Sequence, residues 1–289
     1  MILGYNTNGL TGVDAVQAVE LLHSIGYQGI AITLDHGLLN PFADDLNDQL
    51  KHTAALLKPH EMRCVIETGA RFLLDPEVKH EPTLVTADPA GRARRIDFLS
   101  RAIDVAAALD AECVSLWSGT VKDGAGDRES MDRLTTCLIE VLAYAADKNV
   151  ILGFEPEPGM FIDTLARYCD LLAELDAARV ETDLLRLTID VGHLHCQGEL
   201  PIADYIRRWS DRIVNVHIED MRAGVHEHLM FGEGEIDFPP IIAALREINY
   251  TGPINVELTR HADFGPAAAH QAFEFLYPLV KNLSADRHR

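Results

Sequence analysis

The chain is poor in basic residues, in aromatic residues and in long apolar runs. It has 25 Lys and Arg against 45 Asp and Glu, a formal net charge of −20, and only 7% aromatic residues. This negative charge repels a phosphate backbone, so nucleic acid is not expected as a partner. No window reaches the roughly 20 apolar residues of a membrane span, and the N-terminus lacks the segments of a signal peptide. We therefore expect a cytoplasmic protein that does not enter a membrane.

Cysteine is also scarce, and its pattern argues against disulfides. The five cysteines are odd in number, form no CxxC pair and lie mostly in apolar runs, where cysteine behaves as a small hydrophobe. We expect reduced thiols in the core. A local concentration of positive charge at Arg92, Arg94 and Arg95 is interpreted as a solvated helix face.

Short β-branched runs alternate with longer stretches of helical period, which is typical of βαβ units. Strands are predicted near residues 2–6, 29–34, 63–67, 112–117, 150–155, 186–190, 213–219 and 254–258. Helices are predicted near residues 13–25, 44–58, 90–109, 128–148, 162–176, 201–208, 238–247 and 267–284. Because α/β barrels use about 250 residues as one domain, the sequence predicts an α/β fold, a single (β/α)8 TIM barrel over residues 1–289.

One connection and the C-terminus are expected to be irregular. Residues 68–89 contain Pro76, Pro82 and Pro89 together with mixed charges, which favours irregular backbone. This segment either folds over the mouth of the barrel as a lid or is a surface excursion without function. The last four residues, 286–289, are expected to fray.

Four predicted strands, the fifth to the eighth, each end at a residue that can bind a metal: Glu155, Asp190, His217 and Glu257. The C-terminal ends of barrel strands meet at one mouth, so these side chains can converge on a single cation. Three carboxylates and one imidazole suit Mn²⁺ or Mg²⁺, are compatible with Co²⁺ or Zn²⁺, and leave room for substrate oxygens. The sequence therefore predicts one divalent metal ion as cofactor.

Such a centre suits proton transfer at carbon. A cation bound to a ketone oxygen and its neighbouring hydroxyl acidifies the adjacent C–H and stabilises the enediolate that forms. Two carboxylates can then move the proton: its return to the opposite face is epimerisation, and its return to the neighbouring carbon is isomerisation. The same centre can instead act as a lyase that dehydrates a cyclic polyol or keto acid, because an enolate beside a hydroxyl can expel it as water. Both reactions remain open at this point.

The motifs resemble those of the xylose-isomerase-like barrels, which include sugar and sugar-phosphate isomerases and epimerases and the metal-dependent endonuclease IV group. The matching features are Glu155, Asp190 with His193, His217 followed by Arg222, the turn Gly232–Asp237, and Glu257. They cover the C-terminal half of the chain. In the ketose 3-epimerases of this superfamily the four matching ligands hold the metal and the two glutamates are the acid and the base. The resemblance thus implies that Glu155 and Glu257 are catalytic and that the partner is a small sugar or sugar phosphate; a homo-oligomer is compatible with it.

Other residues near the predicted mouth are candidate substrate contacts. His193 and Arg222 are expected to anchor sugar oxygens, Trp117 to stack on the sugar ring or to belong to the core, and Glu157 to bind a hydroxyl or to face solvent. The short predicted loop that contains His226 and His228 either forms a second metal site with His193 or contacts substrate.

An enzyme like those of the endonuclease IV group is an alternative function, and its partner would be DNA. Members of that group hold an additional zinc at the positions of the three histidines, although an aspartate stands where His226 does. They also carry zinc-binding histidines where this chain has Glu67 and Trp117–Ser118, so their three-metal centre is not expected here. A non-catalytic sugar-binding barrel is a third class, and the intact pair Glu155 and Glu257 disfavours it.

Overall fold

The computed structural model describes residues 1–282. Its strands in chain order are β1 (Ile2–Asn6), β2 (Gly29–Thr33), β3 (Arg63–Glu67), β4 (Val114–Leu116), β5 (Leu152–Phe154), β6 (Leu185–Asp190), β7 (Ile213–Ile218), β8 (Asp220–Arg222), β9 (Val225–Leu229) and β10 (Pro253–Val256). All but β8 and β9 close into a parallel barrel in the order β1-β10-β7-β6-β5-β4-β3-β2. Each predicted strand corresponds to one barrel strand, so the predicted TIM barrel is confirmed.

Helices cover the outside of the barrel. They are α1 (Ala15–Ile25), α2 (Leu46–Leu57), α3 (Pro89–Leu109), α4 (Asp127–Lys148), α5 (Leu165–Ala177), α6 (Val191–Cys196), α7 (Ile202–Arg208), α8 (Phe238–Glu247) and α9 (Gly265–Asn282). Asp14 caps α1 in a capping box with Gln17, and Gly26 ends it in a left-handed conformation. Residues 283–284 of the last predicted helix, and the tail 286–289, lie outside the described residues.

One short helix and one β-hairpin were not predicted. The six-residue helix α6 directly follows β6, and β8 pairs with β9 as an antiparallel hairpin outside the barrel. His226 and His228 therefore lie on strand β9, not in the loop that the sequence suggested. Both elements are short and begin at a strand end, where periodicity carries little information. Among the helices of residues 1–282, none is long and apolar enough to cross a membrane.

The interior of the barrel below its mouth is polar. Asn255 Nδ2 donates to Asn215 Oδ1 over 2.9 Å, and the hydroxyls of Ser115 and Thr188 lie 3.1 Å apart. Gly4 on β1 makes room for this layer, since a Cβ there would lie 2.0 Å from Asn255 Oδ1. The hydrogen bonds within this layer restrict the rotamers of its side chains. The layer lies directly below the residues of the mouth and supports them.

The prediction that Arg92, Arg94 and Arg95 form a solvated face is wrong for Arg95. Its side chain is fully buried, and Arg95 Nη2 donates to the Thr68 carbonyl over 2.8 Å. The guanidinium carbon lies 4.5 Å from the ring centroid of Trp117, a cation–π distance. Helix α3 therefore uses this arginine to support the chain at the ends of β3 and β4. Arg94 is exposed, as expected.

Candidate active site and metal centre

A cavity of about 570 Å³ opens at the C-terminal ends of the barrel strands. This volume lies within the range of small-molecule sites. Of the predicted site residues, the cavity is lined by Trp117, Glu155, Glu157, His193, His217, His226, His228 and Glu257. Residues at or after the C-terminal ends of β1, β2, β3 and β10, together with Glu227 on β9, complete the wall. The mouth of the barrel is thus the place where the predicted site residues gather.

The four predicted metal ligands come together at the bottom of this cavity. One ligand atom from each of Glu155, Asp190, His217 and Glu257 lies within 4.8 Å of the others. His217 Nδ1 is at the centre, 3.0 Å from Glu155 Oε1, 2.9 Å from Glu257 Oε2 and 3.8 Å from Asp190 Oδ2. Asp190 Oδ2 is buried and has no hydrogen-bond partner. This geometry fits a divalent cation.

The barrel places each of these side chains at or next to the C-terminal end of a strand. Glu155 directly follows β5 and Glu257 directly follows β10, while Asp190 is the last residue of β6. Asp190 and His217 are register partners across β6 and β7. Asp190 also caps α6, where its Oδ1 accepts from the His193 backbone N–H over 2.7 Å. One carboxylate oxygen is thereby fixed, and the other is left for a ligand.

Two residues orient the ligands, a role that the sequence did not indicate for either of them. Glu67 Oε1 lies 2.9 Å from His217 Nε2, so this carboxylate fixes the ring with Nδ1 toward the cluster. Asn8 Nδ2 donates to Glu257 Oε1 over 2.7 Å. Glu67 also ends a barrel strand, β3, and that signal could have identified it. Asn8 lies in the turn after β1, where the sequence carries no such signal.

The electrostatics of the site are those of closely packed acids around one base. Burial raises the pKa of Glu155 to about 7, and Glu257 and Asp190 add to the shift while His217 opposes it. Although burial alone would act in the other direction, His217 holds the pKa of Glu257 below its usual range. The carboxylates of Glu155, Glu67 and Glu257 outweigh burial and raise the pKa of His217 well above its ordinary value. Without metal, the proton on His217 supplies positive charge among the carboxylates.

The three predicted histidines also form a cluster. One nitrogen from each of His193, His226 and His228 lies within 4.8 Å of the others, and the Nε2 atoms of His193 and His226 are 3.0 Å apart. His226 and His228 are two residues apart on β9, so both rings project on the same side of the strand. Burial lowers the pKa of His193 to about 3. His193 is therefore a neutral imidazole beside the carboxylate cluster.

The connection predicted at residues 68–89 forms part of the outer wall. Gly69, Arg71, Phe72, Lys79 and His80 line the cavity, and the segment before α3 contains no regular helix or strand. Trp117 is only 7% exposed and lies edge-on to His80, with 5.7 Å between the ring centroids. The segment thus contributes to the wall of the cavity, and its role as a lid stays a prediction.

Arg222 was predicted to anchor a sugar oxygen, but the structure places it outside the cavity. Its side chain is exposed on β8 beside the hairpin turn, and its Nη2 donates to the Glu233 carbonyl over 3.0 Å. It is not among the residues that line the cavity. Asp220, two residues before Arg222, holds the turn Gly232–Ile236 in place. Both of its carboxylate oxygens accept from backbone N–H groups of that turn. Arg222 supports this turn from the solvent side and does not reach the site.

Comparisons with known proteins agree with this architecture. The profile of the xylose isomerase-like TIM barrel family matches residues 19–279. An L-ribulose 3-epimerase of Methylomonas sp. (strain DH-1) is 27% identical over 250 residues, which are 86% of this chain and 79% of that protein. An inosose dehydratase of Geobacillus kaustophilus is 34% identical over 196 residues, 57% of this chain and 60% of that protein. A crystal structure of the IOLI protein with a binding zinc atom has a TM-score of 0.74 at 18% identity and covers 98% of this chain and 99% of its own.

Proposed function

We propose that this chain, which belongs to the xylose isomerase-like TIM barrel family, is a divalent-metal-dependent isomerase or epimerase of a small ketose or sugar phosphate. The observation that carries this proposal is the convergence of Glu155, Asp190, His217 and Glu257 within 4.8 Å at the bottom of a sugar-sized cavity. The relatedness to an L-ribulose 3-epimerase supports it. Arg71, Lys79 and Arg260 line the outer part of the cavity and would accommodate a phosphate despite the acidic chain.

The four residues of the cluster would hold one divalent cation. The unpartnered Asp190 Oδ2 and the orientation of His217 Nδ1 toward three carboxylates match such a ligand. The mixed oxygen and nitrogen donors favour Mn²⁺ or Mg²⁺ and are compatible with Co²⁺ or Zn²⁺. When bound, the cation would withdraw charge from the substrate oxygens and so acidify the neighbouring C–H.

Glu155 and Glu257 would carry the proton. They follow strands β5 and β10, which β6 and β7 separate in the barrel, so they reach the substrate from different directions. One glutamate takes the proton from the carbon beside the carbonyl, and the other returns a proton to the opposite face or to the neighbouring carbon. Asn8 holds Glu257 in place for this step. His193, Trp117 and Glu157 line the cavity and would bind the hydroxyls and the ring of the sugar.

A dehydratase is the second candidate, because the chain is also related to an inosose dehydratase. In that reaction one glutamate takes the same carbon-bound proton. The carbon–oxygen bond of the neighbouring hydroxyl then breaks, and the other glutamate donates a proton so that the hydroxyl leaves as water. The residues required are the same, and the reactions differ in the fate of one hydroxyl.

Product mass separates the two candidates. The metal-loaded protein is incubated with ketoses, ketose phosphates and inososes, and the products are analysed by mass spectrometry after chromatography. We expect a new isobaric compound from at least one ketose or ketose phosphate. A product lighter by one water would establish the dehydratase instead, and no turnover of any compound would contradict both.

A further inference from the structure

One histidine of the cavity wall has a ring nitrogen without a partner. His80, in the segment between β3 and α3, lines the cavity and is partly buried. Its Nδ1 lies 2.6 Å from the carbonyl oxygen of Gly69. Because a carbonyl oxygen can only accept, Nδ1 carries a proton and donates it. The other nitrogen, Nε2, makes no hydrogen bond to any of residues 1–282 and is left accessible.

The ring of His80 is neutral at physiological pH. Burial lowers the pKa of His80 to about 4; the hydrogen bond to Gly69 opposes this shift, and nearby cations add to it. A neutral imidazole that donates through Nδ1 can only accept at Nε2. The charged side chains of the same segment that line the cavity, Arg71 and Lys79, can only donate. His80 therefore supplies a side-chain acceptor that these two cations cannot supply.

The backbone of His80 has an unusual conformation at the end of a closed loop. Its φ is 69°, and Ala70 and Arg71 at the start of the loop also have positive φ values, 57° and 29°. Residues other than glycine adopt this region at a cost in free energy, and such residues cluster at ligand sites. The His80 backbone N–H donates to the Arg71 carbonyl over 2.6 Å. Both the backbone and the ring of His80 thus close the loop over residues 69–80.

Packing against Trp117 fixes the orientation of the ring. The ring centroids of His80 and Trp117 lie 5.7 Å apart, with an angle of 84° between the planes. Trp117 is in turn held by the cation–π contact with the fully buried Arg95. The direction of Nε2 is therefore set before a ligand binds, which reduces the entropy lost on binding.

We propose that His80 determines substrate specificity: its Nε2 accepts a hydrogen bond from a sugar hydroxyl remote from the reacting carbon. This inference rests on the proposed function, because a polyhydroxy substrate must occupy the cavity. His80 belongs to the outer wall, whereas Glu155 and Glu257 lie at the bottom, so the hydroxyl belongs to the far end of the sugar. A hydroxyl can donate to Nε2, but a methylene, a methyl group or a phosphate dianion cannot.

Deoxy analogues test this hydrogen bond. For a ketose that the Mn²⁺-loaded protein turns over, kcat/KM is compared with that of analogues in which one distal hydroxyl at a time is replaced by hydrogen. In the wild type one analogue should lose about 10-fold in kcat/KM, the usual contribution of one hydrogen bond. His80→Gly, which suits the positive φ, should lose about 10-fold with the parent ketose and nothing further with that analogue. A merely structural role would leave the discrimination between parent and analogue unchanged.

Two further variants make the outcomes decisive. His80→Phe keeps a ring beside Trp117 but has no nitrogen, and it should lose the same discrimination. His270→Ala, which removes an exposed histidine of α9, is the control and should discriminate as the wild type does. Equal discrimination by the wild type and both His80 variants, or a wild type that accepts every analogue equally, would overturn the proposal and leave the proposed function intact. No turnover of any ketose or ketose phosphate would contradict both.

Discussion

At the scale of single residues, the site depends on the imidazole of His217 and the acids that contact it. Glu155 and Glu257 lie on the Nδ1 side of the ring and Glu67 lies on the Nε2 side. A metal ion on Nδ1 would displace the proton that these acids hold there, while Glu67 would keep the Nε2–H in place. Metal binding and proton binding therefore compete for the same nitrogen.

This competition predicts a pH-dependent metal affinity. The pKa of His217 is raised well above its ordinary value without metal, so the ring is protonated at neutral pH and must lose that proton on metal binding. The affinity for the metal should therefore rise with pH by about tenfold per unit for each proton released. Below pH 7 Glu155 also becomes protonated, so the affinity should decrease more steeply there. Calorimetry of Mn²⁺ binding between pH 6 and 8, in buffers of different ionisation enthalpy, measures both the affinity at each pH and the number of protons released. An affinity independent of pH would contradict the assignment of His217.

The orienting role of Glu67 gives a second prediction. Glu67→Ala removes the acceptor of the His217 Nε2–H and should weaken metal binding by about 10–100-fold, because outer carboxylates tune their histidine ligands by that amount. Glu77→Ala, an exposed glutamate of the following segment, is the matched control and should leave affinity unchanged. Equal affinities for the two variants would show that Glu67 does not orient the ligand.

The residues of the site differ in how far the sequence could reveal them. Glu155, Asp190, His217 and Glu257 were predictable, because each ends an apolar run and barrel strands end at one mouth. Asn8 was not, because its role depends on a contact between the ends of the neighbouring strands β1 and β10 that local patterns do not encode. Arg222 was misplaced for a related reason: the β8–β9 hairpin changes the direction of the chain directly after the ligand strand.

At the scale of elements, the segment between β3 and α3 is held against the loop after β4. Gly119 has a φ of 93°, and a Cβ there would lie 2.2 Å from Thr83 Cβ. The contact brings the segment close to Trp117 and the cavity wall. Residue periodicity could not predict this packing, since neither loop has a repeating pattern.

Two glycines in the same loop test this contact. Gly119→Ala and Gly124→Ala both place a side chain at positive φ, but a Cβ at Gly124 would meet nothing within 4 Å. Gly124→Ala should cost about 1–2 kcal/mol of unfolding free energy from backbone conformation alone. Gly119→Ala should cost more and should raise KM, because Thr83 and the cavity wall must move. Equal losses measured by denaturant unfolding would contradict the proposed packing.

At the scale of the whole molecule, the barrel concentrates buried acids at one end of an already acidic chain. The cation that the site would bind therefore contributes to folding as well as to chemistry. A ligand that binds only the folded state at 100 times its Kd adds about 2.7 kcal/mol. For a chain of this size, each kcal/mol shifts the Tm by roughly 2–4 °C.

Removal of metal should accordingly lower the Tm by about 5–10 °C. Differential scanning calorimetry of the Mn²⁺-loaded and the chelator-treated protein measures the difference, and re-addition of Mn²⁺ should restore it. Glu155→Gln should show a much smaller difference because one ligand carboxylate is lost. Identical melting of the loaded and stripped wild type would contradict a bound metal.

The central claim, proton transfer at carbon by Glu155 and Glu257, is tested most directly by solvent deuterium exchange. The Mn²⁺-loaded protein is incubated in D₂O with a panel of ketoses and ketose phosphates, and carbon-bound deuterium is followed by NMR. We predict incorporation beside the carbonyl of at least one sugar, slowed by about 10²–10⁴-fold in Glu155→Gln and Glu257→Gln and unchanged in Glu233→Gln. Absence of exchange across the panel with metal bound, or full exchange in both glutamate variants, would contradict the account.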